Sequence, residues 1–147
     1  MSLRSDFIQY AECWIGRWYK WGGDDPSGFD CSGYAIECLK AFDKFPRKQD
    51  TTADGLKAMF RSKEVHIPTT GCLVFWLDRN RKAYHVEIAL NSWQSLGASG
   101  GGSKTKTVDD AILQNAFIKI RPISSRQPSG SWMFVDPWLD EYPIEGG

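Results

Sequence analysis

The sequence predicts an α+β domain, with N-terminal helices packed on an antiparallel sheet and one helix starting at a cysteine. Three observations predict it. Apolar residues keep the 3.6-residue period of helices before Pro68-Thr69-Thr70-Gly71 and the two-residue period of strands after it. Helices come first and strands follow one another later, an order that favours antiparallel pairing. Between the first two helical segments a glycine-rich loop, Tyr19 to Phe29, runs into Asp30-Cys31-Ser32-Gly33.

Ser5 is placed to cap a first helix whose apolar positions Phe7, Ile8, Ala11, Trp14 and Ile15 stop at Gly16. The next loop holds Gly22-Gly23, Pro26 and Gly28 and should be irregular and tightly turned. Asp30 caps the best-patterned helix, with Cys31, Tyr34, Ala35, Cys38, Leu39 and Phe42 on one stripe. Thr51 or Thr52 opens a third helix carrying Leu56, Met59 and Phe60, weakened by Gly55. Strands are expected at Leu73 to Trp76, Tyr84 to Leu90, Trp93 to Ala98, Phe117 to Arg121 and Trp132 to Val135. Asp78 to Lys82 makes the first turn, Gly100-Gly101-Gly102-Ser103 a flexible loop, and Asp109 to Ala116 a short helix. The tail from Trp138 onward is expected to be peripheral. The chain is read as one domain, 1–147, with its core at about 5–122 and a C-terminal extension at 123–147.

Composition narrows the function. A chain of 147 residues holds one compact domain. Its 18 basic and 18 acidic residues cancel, which argues against a nucleic-acid partner. The short basic clusters Arg47-Lys48 and Arg79-Asn80-Arg81-Lys82 sit among turn signals. No apolar run approaches the ~20 residues of a membrane span. Met1 to Asp6 lacks the apolar segment of a signal peptide, so synthesis in the cytoplasm and reduced thiols are expected. No cofactor is implied. A metal site is disfavoured as well, since Cys31 and Cys38 stand roughly 10 Å apart along one helix.

The chemistry centres on Cys31. A helix start offers unpaired N–H groups and the positive end of the dipole, which favour thiolate over thiol. Cys13, Cys38 and Cys72 are read instead as buried small hydrophobes. A cysteine nucleophile needs a base, and the chain has two histidines, His66 at a loop edge and His85 at the opening of a strand. The strand that packs on the Cys31 helix makes His85 the candidate.

These residues resemble a known signature. Tyr19-Lys20-Trp21-Gly22-Gly23 followed by Gly28-Phe29-Asp30-Cys31-Ser32-Gly33 is similar to that of the NlpC/P60 cysteine peptidases, which have a papain-like fold. Phe45-Pro46-Arg47, Gly71-Cys72-Leu73-Val74-Phe75-Trp76 and His85-Val86-Glu87-Ile88 resemble further elements in the family's order. The resemblance implies hydrolysis of peptidoglycan stem peptides, commonly between D-γ-glutamate and the adjoining diamino acid. It implies Cys31 as nucleophile, His85 as base and then acid, and Tyr19 as an oxyanion donor. Asp30, Ser32 and Trp21 would border the substrate cleft, and Asp30 is equally a helix cap. A phage lysin or tail-associated lytic domain fits such a chain.

The resemblance also shows departures. The family carries a polar residue on the strand after the base, where this chain has Gly97, with no side chain to orient the imidazole. Glu87 and Cys72 stand where glycine and aspartate are usual. Water or a backbone carbonyl is the favoured substitute for the missing group, then Glu87, with Ser95 or Ser99 also in reach. On that basis Asn or His at position 97 should be tolerated. Other readings are a degenerate domain that binds stem peptides without cutting them, or an amidase or acyltransferase on the same fold.

Overall fold

The computed structural model describes residues 3–17, 24–25, 28–99 and 117–139. The loop expected at 100–103 and the helix expected at 109–116 lie outside them. Helix α1, Leu3–Glu12, buries Phe7, Ile8 and Ala11. It starts before Ser5, which therefore lies inside the helix rather than capping it. A turn follows, and Gly16 ends it with φ of 95°, a backbone that a residue with Cβ adopts only under strain. Two short antiparallel strands, β1 (Asp24–Asp25) and β2 (Gly28–Phe29), lead to helix α2, Cys31–Ala41. Helix α3, Ala53–Met59, is capped by Thr52, whose hydroxyl accepts from the Gly55 N–H at 3.1 Å.

Six strands form one antiparallel sheet: β3 (Glu64–Val65), β4 (Leu73–Leu77), β5 (Ala83–Ala89), β6 (Gln94–Ser99), β7 (Phe117–Pro122) and β8 (Ser131–Val135). Their order across the sheet is β3-β8-β4-β5-β6-β7. The two-residue strand β3 exists through its pairing with β8. One face of the sheet carries Leu73, Phe75, Leu77, Val86 and Ile88, which are fully buried with Phe7, Leu39 and Leu56 of the helices. Each such side chain contributes about 1.5–3 kcal/mol of burial. Tyr34 ties α2 to α1, its hydroxyl donating to the Ala11 carbonyl at 2.5 Å.

Two expectations are corrected by packing. Trp138 is 1% exposed and packs against Phe7 in a tilted arrangement with ring centroids 5.1 Å apart, so this part of the tail belongs to the core. Asp136 just before it holds Arg4 of α1 in a two-pronged ion pair, both N–O distances 3.0 Å. Cys13 is exposed rather than buried, because it follows the last turn of α1 instead of lying on its inner stripe. Met59 is also exposed, while Phe60 beside it is buried.

Candidate active site

The site is built from a helix start and three neighbouring strands. Asp30 is in extended backbone with its side chain accepting from the Gly33 N–H at 2.5 Å, which satisfies one of the unpaired donors of the first turn. The Ser32 hydroxyl lies 3.4 Å from the same carboxylate oxygen. This cap fixes Cys31 as the first residue of α2, half-buried and beside the core. Cys38, two turns further along the same stripe, is fully buried, and burial pushes its thiol well up. Cys72 is buried as well, with the Thr69 N–H donating to its sulfur at 3.3 Å.

His85 lies on β5, opposite Trp76 of β4, with ring centroids 5.1 Å apart in an edge-on arrangement. The register of these two strands slips by one residue between Trp76 and Leu77, leaving Tyr84 as the extra residue just before His85. Such a bulge re-aims the side chain that follows it. His85 is 6% exposed, and its Nε2 lies 2.7 Å from Glu87 Oε2. The other carboxylate oxygen of Glu87 accepts from the Ser95 hydroxyl of β6 at 2.6 Å.

Electrostatics bind these groups into one unit. Burial disfavours the charged imidazole, but its charge and hydrogen-bond interactions with Cys31 and with the Glu87 carboxylate outweigh it and raise His85 to about 9. Burial likewise opposes the ionised Glu87; the hydrogen bond and charge of His85, the Ser95 hydroxyl and Arg121 overcome it and leave its carboxyl lowered. An ionised carboxylate only accepts, so Nε2 of His85 carries the hydrogen. Nδ1 is then the ring nitrogen available to the Cys31 sulfur, with which His85 interacts by charge and hydrogen bonding.

The structure therefore brings Cys31, His85, Glu87, Asp30 and Ser32 into one region and leaves His66 exposed at a distant edge of the sheet. Tyr19 and Trp21 lie outside the described residues, as does the side chain of Ser99. The Glu87 carboxylate, and not the water or backbone carbonyl that the sequence favours, is the partner of the second imidazole nitrogen. Ser95 touches that carboxylate rather than the ring. Gly97 does not leave open space: a Cβ built there would stand 2.5 Å from Glu87 Cγ and 2.9 Å from its Cδ. Asn or His at 97 alone would collide with it. Sequence reasoning missed Lys119 and Arg121, paired with Gly97 and Ser95 across β6 and β7. Their two-residue spacing, which places both on one strand face, was the available signal.

Helices on an antiparallel sheet, with a thiol at a helix start and a histidine on a strand, define a papain-like α+β domain. The chain belongs to the NlpC/P60 family, which its residues 16–122 match. It is 28% identical over 123 residues to the probable peptidoglycan endopeptidase LytE of Bacillus subtilis (strain 168), covering 84% of this chain and 34% of LytE. With the probable endopeptidase p60 of Listeria monocytogenes serovar 1/2a it shares 34% identity over 98 residues, 66% of this chain and 19% of that protein. The chain thus spans a minor part of each of these longer relatives. The NlpC/p60 domain of the peptidoglycan hydrolase SagA has the same fold, with a TM-score of 0.60, 24% identity and coverage of 90% of this chain and 97% of that one. So has the P60 domain of the Mycobacterium avium subspecies paratuberculosis antigen MAP1204, at a TM-score of 0.60, 23% identity and coverage of 95% and 96%. Among the described residues no helix is long and apolar enough to cross a membrane.

Proposed function

We propose that this domain is a cysteine endopeptidase that hydrolyses peptidoglycan stem peptides at the D-γ-glutamyl–diamino acid bond. The observation that carries the proposal is the polarised histidine. His85 Nε2 is held by Glu87 at 2.7 Å, which turns the other nitrogen over to Cys31. In this reading Nδ1 takes the thiol proton and the thiolate attacks the amide carbonyl. The imidazolium then protonates the departing amine, and water attacks the resulting thioester with His85 acting again as base. Tyr19 and a backbone N–H at the start of α2 would face the oxyanion. Asp30 and Ser32, joined at the helix start, would border the cleft together with Trp21.

A binding relic would need no such arrangement, and the feature that suggested one, Gly97, is matched by the Glu87 side chain filling its place. The test is Cys31→Ala assayed on purified peptidoglycan fragments, with products identified by mass spectrometry. Loss of the nucleophile should remove several orders of magnitude in rate. Cys13→Ala, at an exposed position, should keep wild-type turnover. Alkylation should inactivate the protein and chelators should not. Wild-type hydrolysis by Cys31→Ala, or zinc-reversible inhibition by EDTA, overturns the assignment. Products cut at another amide would move the domain to the amidase reading.

A further inference from the structure

Glu87 and Gly97 face each other across β5 and β6, and neither makes sense without the other. The pairs Ile88–Leu96 and Ala89–Ser95, continued by one step, set Glu87 opposite Gly97. The Glu87 side chain crosses the space that any side chain at 97 would need, with its Cγ 2.5 Å, Cδ 2.9 Å and Cβ 3.1 Å from a Cβ built there. Its carboxylate is pinned at both oxygens, by His85 Nε2 at 2.7 Å and by the Ser95 hydroxyl at 2.6 Å. A second side chain at 97 would have to break both bonds to push this carboxylate aside.

We propose that Glu87 is the positioning residue for the His85 imidazole, that Gly97 is the space Glu87 occupies, and that Ser95 locks its carboxylate. The orienting group has moved from the strand beside the base to the base's own strand. The proposal rests on the reading of Cys31 and His85 as nucleophile and base. Two residues apart on one strand face, Glu87 reaches Nε2 without crossing to another element. It also differs in kind from a neutral orienting group, because a carboxylate stabilises the imidazolium as well as fixing the tautomer. The charged and polar groups around the pair are Cys31 from α2, Ser95 from β6, and Lys119 and Arg121 from β7, whose charges act on Glu87. Trp76 from β4 contributes a ring edge and no charge.

The experiment compares Glu87→Gln, Gly97→His and the double variant Glu87→Gly with Gly97→His. Glu87→Gln keeps the shape and an accepting oxygen but removes the charge. Titration of His85 by NMR, with His66 as the only other imidazole, should fall by about one pH unit, a tenfold change in proton affinity. At pH 8.5 the protonated fraction of His85 should then fall about threefold, and the alkaline limb of hydrolysis should move to lower pH by about one unit. Gly97→His alone should lose fast alkylation, because it displaces Glu87. The double variant should recover at least tenfold over that single change. An unmoved His85 titration and unmoved limbs in Glu87→Gln overturn the proposal. So does a folded double variant no faster than Gly97→His. Alkylation and NMR titration need no substrate, so they decide the role of Glu87 even if Cys31→Ala fails to abolish hydrolysis.

Discussion

Trp138→Ala tests whether the end of the chain is part of the core. Trp138 is 1% exposed, with Phe7 at 5.1 Å and Phe42 at 6.1 Å between ring centroids and the Lys44 ammonium 4.9 Å from its ring. Its indole N–H donates to the Gly71 carbonyl at 3.2 Å. Truncation removes one of the two largest fully buried side chains among the described residues, Trp76 being the other, and leaves two aromatic rings facing a void. Substitutions of this kind cost about 3–5 kcal/mol. For a chain of 147 residues each kcal/mol lowers Tm by roughly 3 °C, so a fall of roughly 9–15 °C is expected. Trp138→Phe keeps a ring against Phe7 and Phe42 and loses the N–H donor, so it should cost about half as much or less.

The assay is thermal and urea unfolding followed by circular dichroism, with the urea slope checked so that stability alone is compared. Below the transition, Cys31 in Trp138→Ala should react with iodoacetamide at the wild-type rate, because Phe42 meets the indole at the far end of α2. A loss below about 1 kcal/mol would refute the reasoning and return the tail to the periphery.

The remaining predictions concern pH and the helix start. His85 binds its proton more tightly when folded, at about 9 against 6.5, so its contribution is complete below pH 6.5 and lost as pH rises toward 9. The full shift corresponds to about 3 kcal/mol, and urea midpoints should fall between pH 6.5 and 8.5, less so in Cys31→Ala; a flat midpoint excludes the coupling. Glu87 acts in the opposite sense, its stabilisation being lost as pH falls through its lowered folded value. Asp30→Ala removes the cap on the Gly33 N–H and should cost about 1 kcal/mol, whereas Asp30→Asn should cost less. Equal melting points for those two variants would show that the cap is not what holds the start of α2.

Local signals were legible in the sequence where local interactions decide the structure. Asp30 and Thr52 each bond an N–H three residues on, so composition and position alone locate the starts of α2 and α3. The alternation of Val86, Ile88 and Leu90 with His85, Glu87 and Ala89 likewise gives a strand within a residue of the one observed, Ala83–Ala89. Long-range contacts were not legible. Strand β3 forms because β8 lies beside it, and Arg4 lies in α1 with its guanidinium held by Asp136, 132 residues away. Trp138 looks peripheral in a proline- and glycine-marked tail and is buried only because Phe7 and Phe42 meet there. The bulge at Tyr84 has no glycine to announce it.

The site itself divides along the same line. That Glu87 shares a strand face with His85 follows from a period of two and needs only the sequence. That it opposes Gly97 depends on register, which is fixed by the pairing of β5 with β6 and by the Leu96 and Ile88 side chains seeking the helix side of the sheet. Read without register, a carboxylate in place of glycine and a glycine in place of a polar residue are two separate losses. With register they compensate. The carboxylate that looked out of place fills the volume that looked empty, and a single substitution at either position breaks an arrangement that a paired exchange can preserve.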